Sequence, residues 1–173
     1  MKFKHSLRTL FGTTAAAFML ACSSPGAFAA PPRPFTAQSF ADIRAHHAGK
    51  PLIVHIWGMT CSPCVGELPK WGEFVHAHRG ADVVLVRFDQ APSDATEARL
   101  AQAGLSGVES WGVLSEPDEY LRASVQSNWF GDMPRTLLIA PDGTVTTIRG
   151  VADSQKVAAW LESVQPASQH AGR

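Results

Sequence analysis

The chain has 173 residues, with 15 Lys and Arg balanced by 15 Asp and Glu, and 45% of its residues are hydrophobic. This length suits one domain with an ordinary core, and three cysteines are too few for a disulfide framework. Nothing in the charge balance supplies a nucleic-acid footprint.

Lys2, Lys4, His5 and Arg8 form a basic start, and Leu10 to Ala21 is an apolar stretch short for a bilayer span. Ala27-Phe28-Ala29 then offers a small-x-small cleavage site, so residues 1–29 are expected to be a secretory signal and the mature protein periplasmic. A rival reading takes Met19-Leu20-Ala21-Cys22 as a lipoprotein signal acylated at Cys22, although Met opens such a box poorly. Cleavage after Ala29 leaves 173 − 29 = 144 residues and removes three bases but no acid. The mature charge is then 12 − 15, or three negative, and Cys61 and Cys64 are the remaining thiols.

Residues 30–35, rich in proline, read as an extended linker, and a domain is expected over 36–164. Thr36 is the expected cap of a helix to about His47, and Gly49-Lys50-Pro51 breaks into the apolar strand Leu52 to Trp57. A helix from Cys61 to about Arg79 and a buried strand over Asp82 to Asp89 follow. Ser93 or Asp94 opens a helix to about Gly104, Trp111 to Leu114 reads as a short strand, and Ser115-Glu116-Pro117 as the start of another helix. Thr136 to Ala140, the Pro141-Asp142-Gly143 turn and Thr144 to Arg149 form a hairpin. Asp153 caps a last helix through Val164, and 165–173 is a polar tail. Alternating strands and helices closed by a hairpin predict a mixed α/β sheet.

The chemistry concentrates in Cys61-Ser62-Pro63-Cys64. A cysteine at the start of a helix lies among unpaired backbone N–H groups that stabilise a thiolate. Cys64, one turn on, is placed to resolve a mixed disulfide, whereas a structural disulfide closing so short a loop would stabilise little. Glu67 falls one further turn along the same face, in position to take the Cys64 proton. His55 lies on a strand expected to be buried on both faces, where it is either a hydrogen-bonded core histidine or a proton-transfer group. His46, His47, His76 and His78 fall at surface-like helix positions, and Trp71, Trp111, Trp129 and Trp160 read mostly as core or rim.

Three separated motifs resemble the extracytoplasmic TlpA/ResA-like branch of thioredoxin-fold proteins. These are Trp57-Gly58-Met59-Thr60-Cys61-Ser62-Pro63-Cys64, the Cys64-Val65-Gly66-Glu67-Leu68-Pro69 run, and Met133-Pro134-Arg135-Thr136 with the Asp142-Gly143 turn. The resemblance, over roughly 35–164, implies a thioredoxin fold: a central mixed β-sheet flanked by helices, with a helix–strand insertion at about 93–114. It implies a cis bond before Pro134, a dithiol tuned by Glu67, and Trp57, Met133 and Pro134 as substrate-binding residues. It further implies a monomeric thiol-disulfide oxidoreductase with no cofactor or metal beyond the Cys61–Cys64 disulfide. Proline just before the second cysteine resembles reducing members, which implies a reductase of protein disulfides, in apocytochrome c or copper-site proteins, recharged by a membrane thiol transporter. The chain departs from the family at Thr60, where tryptophan is usual, at Asp132, where glycine is usual, and at Met133.

Two alternatives share these residues. One is a disulfide-donating oxidant. The other is a Cu(I) carrier, because Gly58-Met59-Thr60-Cys61-x-x-Cys64 also spells a copper loop in which Met59, Cys61 and Cys64 supply soft donors. Pro69, Trp57 and Glu67 fit the thioredoxin pattern better than a heavy-metal-associated domain.

Overall fold

The computed structural model describes residues 30–165; the expected signal, the alternative acylation site at Cys22 and the expected tail from 166 onward fall outside them. In chain order the elements are β1 (Arg33–Pro34), α1 (Ser39–His46), β2 (Leu52–Trp57), α2 (Ser62–Ala77), β3 (Asp82–Arg87) and α3 (Ser93–Gln102). They continue with β4 (Glu109–Gly112), α4 (Glu119–Val125), β5 (Arg135–Ile139), β6 (Val145–Arg149) and α5 (Ser154–Val164). Among the described residues no helix is long and apolar enough to cross a membrane.

The sheet has the order β1-β4-β3-β2-β5-β6. β1, β4, β3 and β2 are parallel to one another, β5 pairs antiparallel with β2, and β6 pairs antiparallel with β5. β2 is central and buried at every position, as its unbroken apolar run predicts. Its alternate residues feed opposite layers. Ile53 and Trp57 join Leu68, Trp71, Phe74 and Val157 of α2 and α5 on one side. Leu52, Val54 and Ile56 meet Phe40, Ile43 and Val125 of α1 and α4 on the other. His55 shares the odd-numbered face and therefore points at α2.

Four sequence expectations are corrected. Residues 30–35 are not all linker: Arg33–Pro34 pairs with Trp111 and Gly112 as an edge strand, and Phe35 is buried. Thr36 does not cap α1, because its backbone N–H donates to Ser39 Oγ and the helix starts three residues later. The strand placed at Trp111 to Leu114 begins two residues earlier, at Glu109. α4 is capped by Asp118, which accepts Leu121 N–H at 2.7 Å, rather than by Ser115. Pro69 lies inside α2, as its motif position requires.

Candidate active site

Cys61 stands where β2 hands the chain to α2, at the C-terminal end of the parallel strands, a common position for sites in open α/β sheets. Gly58, Met59 and Thr60 make the turn, closed by Cys61 N–H donating to Gly58 O at 3.4 Å. Cys61 is the N-cap of α2, with Pro63 in the first turn, where its missing N–H is no loss. Cys61 Sγ accepts the Cys64 N–H at 3.3 Å, so a donor for a thiolate is already in place. The two sulfurs are bonded at 2.05 Å, the oxidised form. Cys61 is half-buried and Cys64 fully buried, which makes Cys61 the sulfur that an incoming disulfide can reach.

Beneath the disulfide lies a buried acid–imidazole pair. Glu67, 3% exposed, accepts the Ala152 N–H on Oε2 at 3.0 Å. Its Oε1 is 3.3 Å from Nε2 of the fully buried His55, close but not aligned as a hydrogen bond. The other imidazole nitrogen, Nδ1, lies 3.0 Å from Thr136 Oγ1, because His55 and Thr136 are directly opposed across the β2–β5 pair. Trp71 covers the ring at 4.6 Å between centroids. Burial lowers the His55 pKa to about 3, so the imidazole is neutral. Burial raises Glu67 to about 7, against the opposing pull of the Ala152 N–H, the Trp71 side chain and the Lys70 charge. A carboxyl poised near neutrality one helical turn from a cysteine that the reduced form leaves as a buried thiol can accept and return one proton.

The Met133–Pro134 peptide is cis. Met133 is half-buried and reaches the Cys61 turn: a Cβ built on Gly58 would lie 3.2 Å from Met133 Cε. Pro134 itself is buried, at the head of β5.

No protein-family model matches the chain. Its sequence is 27% identical over 134 residues to the thiol-disulfide oxidoreductase ResA of Geobacillus kaustophilus (strain HTA426), with 72% of each chain covered. The structure is similar to a secreted disulfide oxidoreductase of Mycobacterium tuberculosis homologous to E. coli DsbE: TM-score 0.54, 18% identity, 69% of this chain and 85% of the other. It also matches a thioredoxin-related protein of Neisseria meningitidis serogroup B, with TM-score 0.54, 22% identity and coverage of 66% and 84%. The chain has a thioredoxin fold and is similar in sequence to the ResA thiol-disulfide oxidoreductases.

Against that family pattern, one expected site residue moves. Trp57 is fully buried in the layer with Leu68 and Trp71, so it supports the dithiol from below and presents no surface to a substrate. Trp129 is likewise buried, whereas its neighbour Phe130 is 90% exposed. Met59 is half-buried against the same layer as Cys61. Of the four surface-like histidines, His46 and His76 are exposed, but His47 is held between Asp82 Oδ2 at 2.9 Å and Glu109 Oε2 at 3.2 Å.

Three charged residues near the site escape a sequence reading. Arg135, 1% exposed, binds Asp132 Oδ1 at 3.1 Å and Gln126 Oε1 at 3.2 Å and lies over the Trp129 ring. It thereby brackets Met133 and Pro134 from both sides. Arg87 and Asp89, 3% and 8% exposed, sit at the end of β3 beside the Cys61 turn. The available signal was a charge inside an apolar strand run, as in Val83-Val84-Leu85-Val86-Arg87 and Arg135-Thr136-Leu137-Leu138-Ile139.

Proposed function

We propose that the chain is an extracytoplasmic thiol-disulfide oxidoreductase that runs as a reductase of protein disulfides, with the Cys61–Cys64 pair as its redox group. The observation that carries this reading is the gradient across the first turns of α2. A reachable sulfur at the N-cap is followed by a sulfur closed to solvent, and then by a buried carboxyl whose pKa lies near 7.

In the reduced protein the Cys61 thiolate attacks one sulfur of a substrate disulfide. A Cys61–substrate disulfide forms, and the other substrate sulfur leaves as a thiolate that takes a proton from water. Cys64 then gives its proton to Glu67, and its thiolate attacks Cys61 Sγ. The Cys61–Cys64 bond forms and the second substrate sulfur leaves; the substrate has gained two electrons and the dithiol has lost them. Neutral His55, fixed by Thr136, faces the Glu67 oxygen that receives the proton and holds it away from solvent. A dithiol donor, expected to be a membrane thiol transporter, restores the reduced pair. Apocytochrome c and copper-site proteins are the expected substrates, met by Met133 and the Pro134 loop of a monomeric enzyme.

A redox titration against glutathione tests direction. A reductase should titrate below about −200 mV, whereas a value near −120 mV would make the chain an oxidant. Cu(I) competition on the same sample tests the carrier reading, in which Met59 assists both thiolates. Cys61→Ser should abolish insulin reduction and Cys64→Ser should accumulate mixed disulfides through Cys61; turnover by Cys61→Ser would remove the proposed mechanism.

A further inference from the structure

The turn that presents Cys61 is only Gly58, Met59 and Thr60, and something must hold it at the mouth of α2. Thr60 is tied down twice. Its backbone N–H and its Oγ1 both donate to Asp89 Oδ2, each at 2.8 Å. Asp89 is two residues past β3 and 8% exposed, and its second oxygen takes no hydrogen bond but lies 3.6 Å from Arg87 Nη1. Arg87 is fixed in turn, Nη1 donating to Asp89 O and Nη2 to Val113 O at 3.2 Å.

Two glycines make room for this arrangement. A Cβ on Gly58 would be 2.9 Å from Asp89 Oδ2, and one on Gly112 would be 2.8 Å from Arg87 Nη2. A buried ion pair is a poor source of net stability, because desolvating both charges offsets most of their attraction. Its geometry here is specific to the turn: one carboxylate oxygen is aimed at the residue immediately before the nucleophile. That residue is also where the family's usual tryptophan is missing. Met133 Cε lies 3.2 Å from the same Gly58 Cβ position, so the carboxylate, the Cys61 turn and the substrate-facing loop meet at one crowded point.

We infer that Asp89, held by Arg87, is a positioning residue for Cys61: it anchors Thr60 so that the Cys61 sulfur stays at the N-cap of α2, at a fixed spacing from Met133. Asp89 touches no reacting atom and acts through Thr60. The inference rests on Cys61 being the nucleophile.

The test uses the full mature chain, reduced, with iodoacetamide as the probe of Cys61. Thr60→Val keeps shape and the backbone N–H but removes the hydroxyl donor, and Thr60 is exposed enough to change without disturbing the core. Thr60→Ser retains the donor. Losing a hydrogen bond to a charged group should loosen the turn enough to slow Cys61 alkylation near neutral pH about tenfold and to move its pH midpoint upward. Thr60→Ser should recover most of that reactivity, and thermal unfolding of the oxidised proteins should differ little. Equal alkylation profiles for wild type, Thr60→Val and Thr60→Ser would overturn the inference, as would a shift in melting temperature alone. Cys61→Ser, assayed alongside, separates the two failures: if it still turns over, the mechanism is wrong; if it is inactive while Thr60→Val behaves as wild type, only the positioning role falls.

Discussion

Glu67→Gln keeps the size of a buried side chain while removing its proton chemistry, so its effect on stability should depend on pH. In the folded chain burial raises Glu67 from the ordinary 4.5 to about 7, with the Ala152 N–H, the Trp71 side chain and the Lys70 charge opposing. Between those values the folded chain holds a proton that the unfolded chain gives up. The stability this group contributes is therefore complete below pH 4.5 and is lost as pH rises to about 7. At about 1.4 kcal/mol per pKa unit, the wild type should lose about 3 kcal/mol relative to Glu67→Gln across that window. His55 works in the opposite sense: its pKa falls from 6.5 to about 3, so its contribution is complete above 6.5 and is lost as pH falls toward 3. Between about pH 4.5 and 6.5 the two slopes cancel, and the wild-type curve alone would look flat. Urea unfolding of both oxidised proteins from about pH 5 to about pH 8 reads the difference directly. It should open steadily in favour of Glu67→Gln as pH rises. Parallel curves, or a variant that loses ground with rising pH, would refute the claim that Glu67 is a buried base poised near neutrality.

The same variant should resolve mixed disulfides more slowly, and it should lose the rise in resolution rate that wild type shows as pH approaches about 7, as stopped-flow kinetics with a disulfide-linked peptide would show. His55→Gln removes the imidazole that must stay neutral while buried and leaves the Glu67 slope unopposed, so between pH 6.5 and about 4.5 the variant should gain stability relative to wild type as pH falls; a constant difference between the two across that window would refute the burial argument. Arg135→Ala leaves Gln126 unpaired, returns the exposed Asp132 carboxylate to solvent and uncovers the Trp129 face, so it should cost about 1–2 kcal/mol in urea unfolding and lower the affinity for a disulfide peptide; a loss below about 0.5 kcal/mol would show that Arg135 does not hold the Met133–Pro134 loop.

Elements whose cause is local were legible in the sequence. β2 is an unbroken apolar run, Asp153 accepts the Gln155 N–H at 2.9 Å as a helix cap should, and Cys61, Cys64 and Glu67 share a helix whose periodicity fixes their relative placement. Elements whose cause is distant were not. Arg33–Pro34 becomes a strand only because Trp111 and Gly112 present a free edge 78 residues later (111 − 33), and no local propensity of a proline-rich segment records that. The resemblance implied Trp57 as a substrate-binding residue, yet strand alternation from Ile53 already placed it on the buried α2 face. Asp89 lies 29 residues from Thr60, and a lone acid after a strand looks like an ordinary turn residue until the fold brings the two together.

Two buried polar arrangements thus flank the Cys61 sulfur, and they divide the work. On the α2 face of β2, His55, Thr136 and Glu67 form the proposed proton store. It is set by cross-strand register, since His55 opposes Thr136, and by helical spacing, since Glu67 follows Cys64 by three. At the end of β3, Arg87 and Asp89 are tied to the turn through Thr60 and stand outside the proton path of the proposed mechanism. Each group is costly to bury, and each would be cheaper to replace with an apolar residue if packing were its only role. The separation has a mechanical consequence. In the proposed mechanism the store changes charge once per turnover without disturbing the turn, because no hydrogen bond among the described residues links Glu67 or His55 to Thr60 or Asp89. In that mechanism the position of Cys61 is thereby kept independent of the proton that Cys64 gives up.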